Sequence, residues 1–416
     1  MDDSFISDKI IRLSQEASAL TASEFSAIDR VCEINTAKVL NAFRANKVSD
    51  SMFSGTTGYG YDDRGREVLD RVFADVFGAE RALVRIGFVN GTHAIASALF
   101  GALAPGDMLL SVTGAPYDTL SGVVGISGAK RGSLSFYGVE YAQIELLRNG
   151  ELDFPSISEK VSDRRVKAVF IQRSRGYTER RALTTTEIGE ASDLIKRVNP
   201  NAAIIVDNCY GEFVETIEPT QLGADVIAGS MIKNPGGGLA LTGGYVAGRN
   251  DLVEAAAERL TVPGIGGDAG STIGQSRALF QGLFIAPHIT AQALKTAVFA
   301  SALFSLIGYR VSPRSNEIRS DIIQSIAFED PEPLKRFCLG IQQGAPVDSF
   351  VVPEPWPMPG YDCDVIMAAG AFVQGASIEL SADAPMRKPY TAYLQGGLTY
   401  ESGKLGIMRA ATLLTQ

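Results

Sequence analysis

The chain reads as an α/β protein with a large unit built on a mostly parallel sheet, followed by a smaller α+β unit. Three observations predict this. Apolar runs that do not alternate, such as KAVFIQ and AAIIVD, recur between amphipathic stretches such as EIGEASDLIKRV. That rhythm belongs to strands buried on both faces and joined by crossover helices. The 416 residues are enough chain to divide around more than one core. Beyond about residue 290 the alternation gives way to IRSDIIQSIAFEDPEPLKRFCLGIQQG and short runs such as DSFVV and ASIEL.

Taken in order, residues 1–54 read as a helical arm, with SDKIIRLSQEA and SEFSAIDRVCEINTAKVLNAF at helical spacing. The arm is expected to help build a dimer. Residues 55–290 form the large unit with its right-handed crossovers, and residues 291–416 the small C-terminal one, with DSFVV and ASIEL as strands. The most apolar stretch, Ala297 to Tyr309, is interrupted by Ser301 and Ser305 and is too short to span a bilayer. It reads as a buried helix near the junction.

Two residues carry the chemistry. Asp207 closes the apolar run AAIIVD, and in open α/β sheets the carboxyl ends of strands face the ligand crevice. Lys233 stands in GSMIKNPGGG, among small and apolar residues, a setting that suits an amine held in a cleft. A buried acid and a cleft lysine are the pair that pyridoxal 5'-phosphate requires. The lysine forms a Schiff base with the aldehyde, and the acid keeps the ring nitrogen protonated. Upstream, VNGTHAIASALFGAL reads as a loop entering a helix. The backbone N–H groups of Gly91, Thr92 and His93, with the Thr92 hydroxyl, are expected to converge on a phosphate. His93 itself reads as a capping residue. Tyr117, at the turn of MLLSVTGAPYDTL, can lay its ring on a planar cofactor and lend its hydroxyl to proton transfer.

The rest of the composition narrows the field. With 38 basic against 47 acidic residues, a net charge of −9 and no basic block, the chain has no electrostatic footprint for nucleic acid. Cys32, Cys209, Cys338 and Cys363 are widely spaced, and His93 and His288 are the only histidines. Neither a metal site nor a Ser-His-Asp triad is expected from them. Cys209 reads as a small buried residue. The acidic start MDDSFISDKIIRLSQEA is unlike a signal peptide, so a cytoplasmic protein without a membrane partner is expected.

The order of helix start, aromatic, strand-end Asp and Ser-x-x-Lys resembles the fold type I pyridoxal-phosphate enzymes. The phrases SGTTGYGYDDRGREVLDRVFADVFGAERALVR, VNGTHAI, VDNCYGEFVE, AGSMIKNPGGGLALTGGYVAGR, LTVPGIGGD and PYTAYLQGGLTYESGKLGI narrow the likeness. They resemble the cystathionine beta/gamma-lyase group, and in it the aluminium-resistance or methionine gamma-lyase-like branch. The resemblance implies that Lys233 anchors the cofactor and carries the substrate's α-proton. It implies Asp207 at the ring nitrogen, Tyr117 on the ring, and Gly91, Thr92 and Ser230 at the phosphate. Tyr59 or Tyr61, with Arg64, would reach that phosphate from a neighbouring subunit of a homodimer or homotetramer. The substrate's carboxylate needs a bidentate cation; Arg387 is the first choice, with Arg173 or Arg175 as competitors. The implied activity is carbon–sulfur β- or γ-elimination from a sulfur amino acid, giving a keto acid and ammonia. The alternatives are γ-replacement, transamination or a fold relative that has lost catalysis. Two departures stand out. Ile232 occupies the place where the better-known lyases carry Thr before the lysine, and Gly114-Ala115-Pro116 offers no thiol before Tyr117.

Overall fold

The computed structural model describes residues 5–126, 128–358 and 361–416, so the first four residues of the expected arm lie outside it. Helices α1 (Asp8–Leu20) and α2 (Ala22–Ala45) open the chain, separated at Thr21, whose hydroxyl turns back onto the Ala17 carbonyl at 2.9 Å. The large unit then runs α3 (Arg64–Phe77), β1 (Arg81–Arg85), α4 (Gly91–Ala102), β2 (Met108–Ser111), α5 (Asp118–Val124), β3 (Glu140–Gln143), α6 (Phe154–Val161) and β4 (Val166–Gln172). It continues with α7 (Thr185–Val198), β5 (Ala203–Asp207), β6 (Val226–Ser230), β7 (Gly244–Gly248) and α8 (Asn250–Leu260). The sheet order is β1-β7-β6-β5-β4-β2-β3, and β7 alone runs against its neighbours.

Successive residues of these strands feed opposite faces. Ile204, Val206 and Ile227 pack under α3, α6 and α7, while Ile205, Val226 and Ala228 pack under α4 and α8. Burial on both faces is the reason the strands are apolar throughout. The helices start on polar caps: Thr184 and Glu187 form a reciprocal capping box at α7, and Asn90 caps α4.

Helix α9 (Ser276–Ile307) is one continuous rod that passes through the boundary expected at residue 290. Its first half, with Leu279, Phe280 and Leu283, packs in the large unit; Phe299, Leu303 and Phe304 pack in the small one. Among the described residues it is the one helix long and apolar enough to cross a bilayer, and most of it is buried.

The small unit adds β8 (Arg310–Ser312), β9 (Gln324–Ala327), α10 (Pro331–Gln343), β10 (Trp356–Pro357), β11 (Asp364–Ala369), β12 (Ser381–Pro385), β13 (Thr391–Gln395) and α11 (Tyr400–Thr415). Its sheet, β10-β11-β12-β13-β9-β8, is antiparallel. The runs DSFVV and ASIEL are not strands. Asp348 turns the first with a left-handed φ of 52°. In the second, Glu379 folds its carboxylate back onto the N–H groups of Phe372 and Val373 at 2.9 and 3.0 Å, closing a tight loop.

Candidate active site

A cavity of about 330 Å³ lies beyond the carboxyl ends of β5 and β6, where strand topology places ligands. It gathers Gly91, Thr92, Tyr117, Asp207, Ser230 and Lys233, residues that stand far apart in the sequence. The loop 373–376 of the small unit reaches it through Gln374 and Gly375.

Lys233 ends the short turn after β6. The glycines that follow it are steric requirements. A Cβ at Gly236 would collide with the Met231 carbonyl, and one at Gly237, where φ is 55°, with the Gly282 carbonyl on α9. The lysine Nζ stands 4.0 Å from the centre of the Tyr210 ring. Tyr210 adopts a left-handed φ of 71°, a strained conformation for a non-glycine residue that costs about 1–3 kcal/mol. Burial alone would lower the Lys233 ammonium, but the facing Cys209, Tyr210, Asp207 and Glu212 groups outweigh it and hold it above the usual lysine range. Burial keeps the Cys209 thiol well above its ordinary value, Tyr210 up at about 12 and Glu212 at about 8. Asp207 is therefore the counter-charge we assign to Lys233. Burial raises Asp207 as well, with Lys233 and the Cys209 N–H drawing it back.

At the other end of the cavity, Gly91 opens α4, and a Cβ there would press on Ser230 Cβ at 3.2 Å and Cys209 Sγ at 3.3 Å. The Ser230 hydroxyl is buried without a partner, an unmet donor facing a glycine-lined helix start. Thr92 shares its hydroxyl with Thr119 at 2.7 Å, which brings a further donor to the cavity wall. The His93 N–H, expected to join the anion site, is instead held by the Asn90 side chain at 2.9 Å, and its imidazole accepts from Val89 N–H at 3.2 Å. These residues fit pyridoxal phosphate: an uncommitted hydroxyl and free helix-start amides at one end, a buried acid and a lysine at the other.

Tyr117 stands at the start of α5, and its hydroxyl meets that of Tyr361 at 2.7 Å. It also borders a second, larger cavity of about 670 Å³, lined by Arg148, Arg175, Arg180, Arg181 and Arg387. Arg387 lies here, side by side with Asp362 at 2.8 Å and 41% exposed, rather than beside Lys233. Arg175 is fully buried and spends its Nη1 on the Ser312 carbonyl and the Ser325 hydroxyl at 2.8 and 2.9 Å.

Arg173 corrects the expectation of a substrate-binding role. It has no exposed surface and faces neither cavity. Its guanidinium is committed to Glu215 at 2.9 Å, Glu218 at 3.3 Å and Asn208 at 2.7 Å, an internal ion cluster that ties the end of β4 to the loop after β5. Arg180 is the residue that sequence reasoning missed. Its Nη2 holds the Gln172 and Ser174 carbonyls, its Nη1 is buried without a partner, and burial lowers it to about 10 despite the nearby Asp321. Nothing in QRSRGYTERR distinguishes it from its neighbours.

Tyr59, Tyr61 and Arg64 do not join the site within one chain. Tyr59 and Tyr61 stack on each other at 5.6 Å and are 77% and 54% exposed; Arg64 is exposed at the start of α3. Their loop is nevertheless rigidly braced. Arg66 donates to the Gly60 and Asp268 carbonyls at 2.7 and 2.8 Å, and Asp63 accepts from Thr56 and Thr272.

Sheet order, the acid at a strand end and the lysine in a glycine-rich turn define the class, a fold type I enzyme of the pyridoxal-phosphate-dependent lyase type. The methionine gamma-lyase family model matches residues 10–415, and the chain belongs to that family. A solved carbon-sulfur lyase involved in aluminium resistance from Clostridium novyi NT is 51% identical, covering 98% of this chain and 96% of its own, with a TM-score of 0.95. The protein YnbB of Bacillus subtilis (strain 168) is 47% identical over 406 residues, 97% of this chain and 96% of its own. The pyridoxal-5'-phosphate-dependent protein YhfS of Escherichia coli shares the fold at 18% identity and a TM-score of 0.62, over 92% of this chain and 96% of its own. The chain is accordingly a carbon–sulfur lyase by family.

Proposed function

We propose that this chain is a pyridoxal-phosphate-dependent lyase of a sulfur amino acid, eliminating a β- or γ-thiolate and releasing a keto acid and ammonia. The observation that carries the reading is the convergence of Lys233, Asp207, Tyr117 and the Gly91–Ser230 cradle on one cavity. Gly91, Thr92, Ser230 and Thr119 would hold the phosphate, Asp207 the ring nitrogen and Lys233 the aldehyde carbon, with the Tyr117 ring as a wall. The bound cofactor supplies an electron sink for the substrate's α-carbanion.

The protein's own groups do the rest. Lys233 Nζ removes the α-proton, and its place over the Tyr210 ring holds it at the cavity. Tyr117 lines both cavities, and its hydroxyl donates a proton to the departing sulfur. Arg387 at the rim of the larger cavity, with Arg180 deeper in it, takes the substrate's carboxylate. The braced, outward-facing Tyr59, Tyr61 and Arg64 complete the site of a neighbouring copy in a homodimer or homotetramer. The reading places the enzyme in the cytoplasm, acting on small amino acids.

The test is an absorbance spectrum of the purified protein before and after borohydride reduction, with peptide mapping, followed by a substrate screen for keto acid and ammonia. Cofactor fixed on Lys233 with ammonia and keto acid in equal amounts is the expected result. Keto acid without ammonia would mean transamination. A protein that takes up no pyridoxal phosphate would overturn the reading.

A further inference from the structure

Tyr210 touches the amine that does the chemistry, and its ring can do more than wall that amine in. The ring centre stands 4.0 Å from Lys233 Nζ, where the negative face of an aromatic ring attracts a cation. Tyr210 lines the cofactor cavity beside Asp207, Cys209 and Ser230. A tyrosine with a left-handed φ of 71° persists only where its surroundings over-determine it. Here they come from both units. The ring packs against the core cluster that holds Ala228 and Val246, and against the smaller one that holds Leu294 and Ile378. Its hydroxyl accepts from the Ser377 hydroxyl, on the small unit, at 3.1 Å. Ser377 is buried, in the loop whose Gln374 and Gly375 reach the cavity and which Glu379 closes through the Phe372 and Val373 N–H groups. The small unit therefore fixes, through one hydroxyl, the ring that faces the lysine.

We propose that Tyr210 is a catalytic residue whose ring face stabilises the ammonium that Lys233 becomes on taking the α-proton, and that Ser377 is the positioning residue that aims the ring. This rests on the pyridoxal-phosphate reading above. The α-carbon–hydrogen bond breaks, its electron pair stays on the carbon, and the proton binds the Lys233 lone pair. The positive charge born at Nζ meets a ring already in place, so the attraction grows as the transfer proceeds. The ammonium afterwards releases that proton to solvent, and the amine is free for the next turnover.

The other groups that act on the amine have different duties. They are Asp207 at the end of β5, Cys209 and Glu212 in the loop after it, and Asp383 on β12. Asp207 is the acid assigned to the cofactor's ring nitrogen, and burial keeps Cys209 and Glu212 protonated at neutral pH. Asp383 does not line the cavity, and its carboxylate accepts from Gln395 Nε2 at 2.7 Å. The Tyr210 ring is the group left to meet the new charge.

The test replaces Tyr210 with phenylalanine and with phenylalanines carrying one, two or three ring fluorines, which keep the ring's shape and drain its negative face stepwise. The readout is exchange of the α-hydrogen of L-alanine with deuterated water on the holoenzyme, followed by proton NMR. Alanine has no leaving group, so the exchange needs no elimination. Its rate should fall with each fluorine, to about 30-fold below that of Tyr210→Phe with three. A rate indifferent to fluorine overturns the proposal. Tyr210→Phe and Ser377→Ala should each cost about fivefold, the loss of one hydrogen bond, and the double variant no more than either single one. Additive losses would overturn the part given to Ser377. A second readout needs no bound cofactor. In the full chain freed of pyridoxal phosphate, pulse acetylation with peptide mapping gives the pH at which Lys233 becomes reactive. That pH should drop by about 1.5 units across the fluorine series; an unmoved profile overturns the proposal. If the wild type exchanges alanine but releases ammonia from no sulfur amino acid, the lyase reading fails, and the fluorine series still decides the role of Tyr210.

Discussion

Lys233 and Asp207 come from the parallel sheet of the large unit, Gln374 and Gly375 from the small unit, and the two walls of the site are fixed by different means. On the first wall, position follows from topology. A strand end and the turn after its neighbour place the acid and the lysine together, whatever the side chains around them. On the second wall, a loop closed by the Glu379 carboxylate on the Phe372 and Val373 N–H groups carries Gln374 and Gly375 across the unit boundary. The first wall is set by chain geometry and the second by docking of one unit on another.

The largest effect expected of any single change falls on the first wall. Lys233→Ala should reduce turnover by at least about a thousandfold, and borohydride should no longer fix cofactor to the protein. Retained turnover would break the assignment.

Next comes the frame behind that wall. Arg173→Ala leaves Glu218, which has no exposed surface, buried without its cation. A loss of about 3–5 kcal/mol is expected, read as a fall in denaturant midpoint. A loss confined to KM, with stability intact, would return Arg173 to substrate binding.

Glu212 sharpens the comparison through pH. Burial raises it to about 8 in the folded chain, the Tyr245 hydroxyl at 2.7 Å notwithstanding. Below its ordinary value near 4.5 both folded and unfolded chains hold the proton. Between there and about 8 the unfolded chain releases it and the folded one does not, so stability falls as pH rises through that window and then levels. Glu212→Gln should flatten the fall in melts run from pH 5 to 9; an unchanged slope would place the proton elsewhere.

The smallest effect concerns neither wall but the proposed neighbour. Tyr59→Phe, Tyr61→Phe and Arg64→Ala are exposed in one chain, so their melting temperatures should stay within about 1–2 °C of the wild type. At least one should weaken cofactor retention about tenfold, the loss of one charge-assisted hydrogen bond. Unchanged retention in all three would remove them from the site.

The sequence by itself determined the elements that obey local rules. Burial on both faces made the strands of the large sheet continuously apolar, and caps and glycines marked the helix start at Gly91 and the turn after Lys233. The reading of Lys233, Asp207, Gly91, Thr92, Ser230 and Tyr117 as one group was legible because each stands at a strand end or helix start, and the structure brings them to one cavity. Tertiary structure decided what depends on distant partners. Arg173, Arg175 and Arg180 share one short segment and look alike in sequence. Packing sends the first into an ion cluster with Glu215 and Glu218, the second onto Ser312 and Ser325, and the third onto the Gln172 and Ser174 carbonyls beside the larger cavity. Tyr210 turns toward Lys233 through a left-handed backbone that no local signal announces. The tight loop at Ala376–Leu380 has the composition of a strand, and a carboxylate folding onto two amide groups made it something else. Local periodicity is written residue by residue along the chain, whereas the partner of a buried charge is chosen only when two remote segments meet.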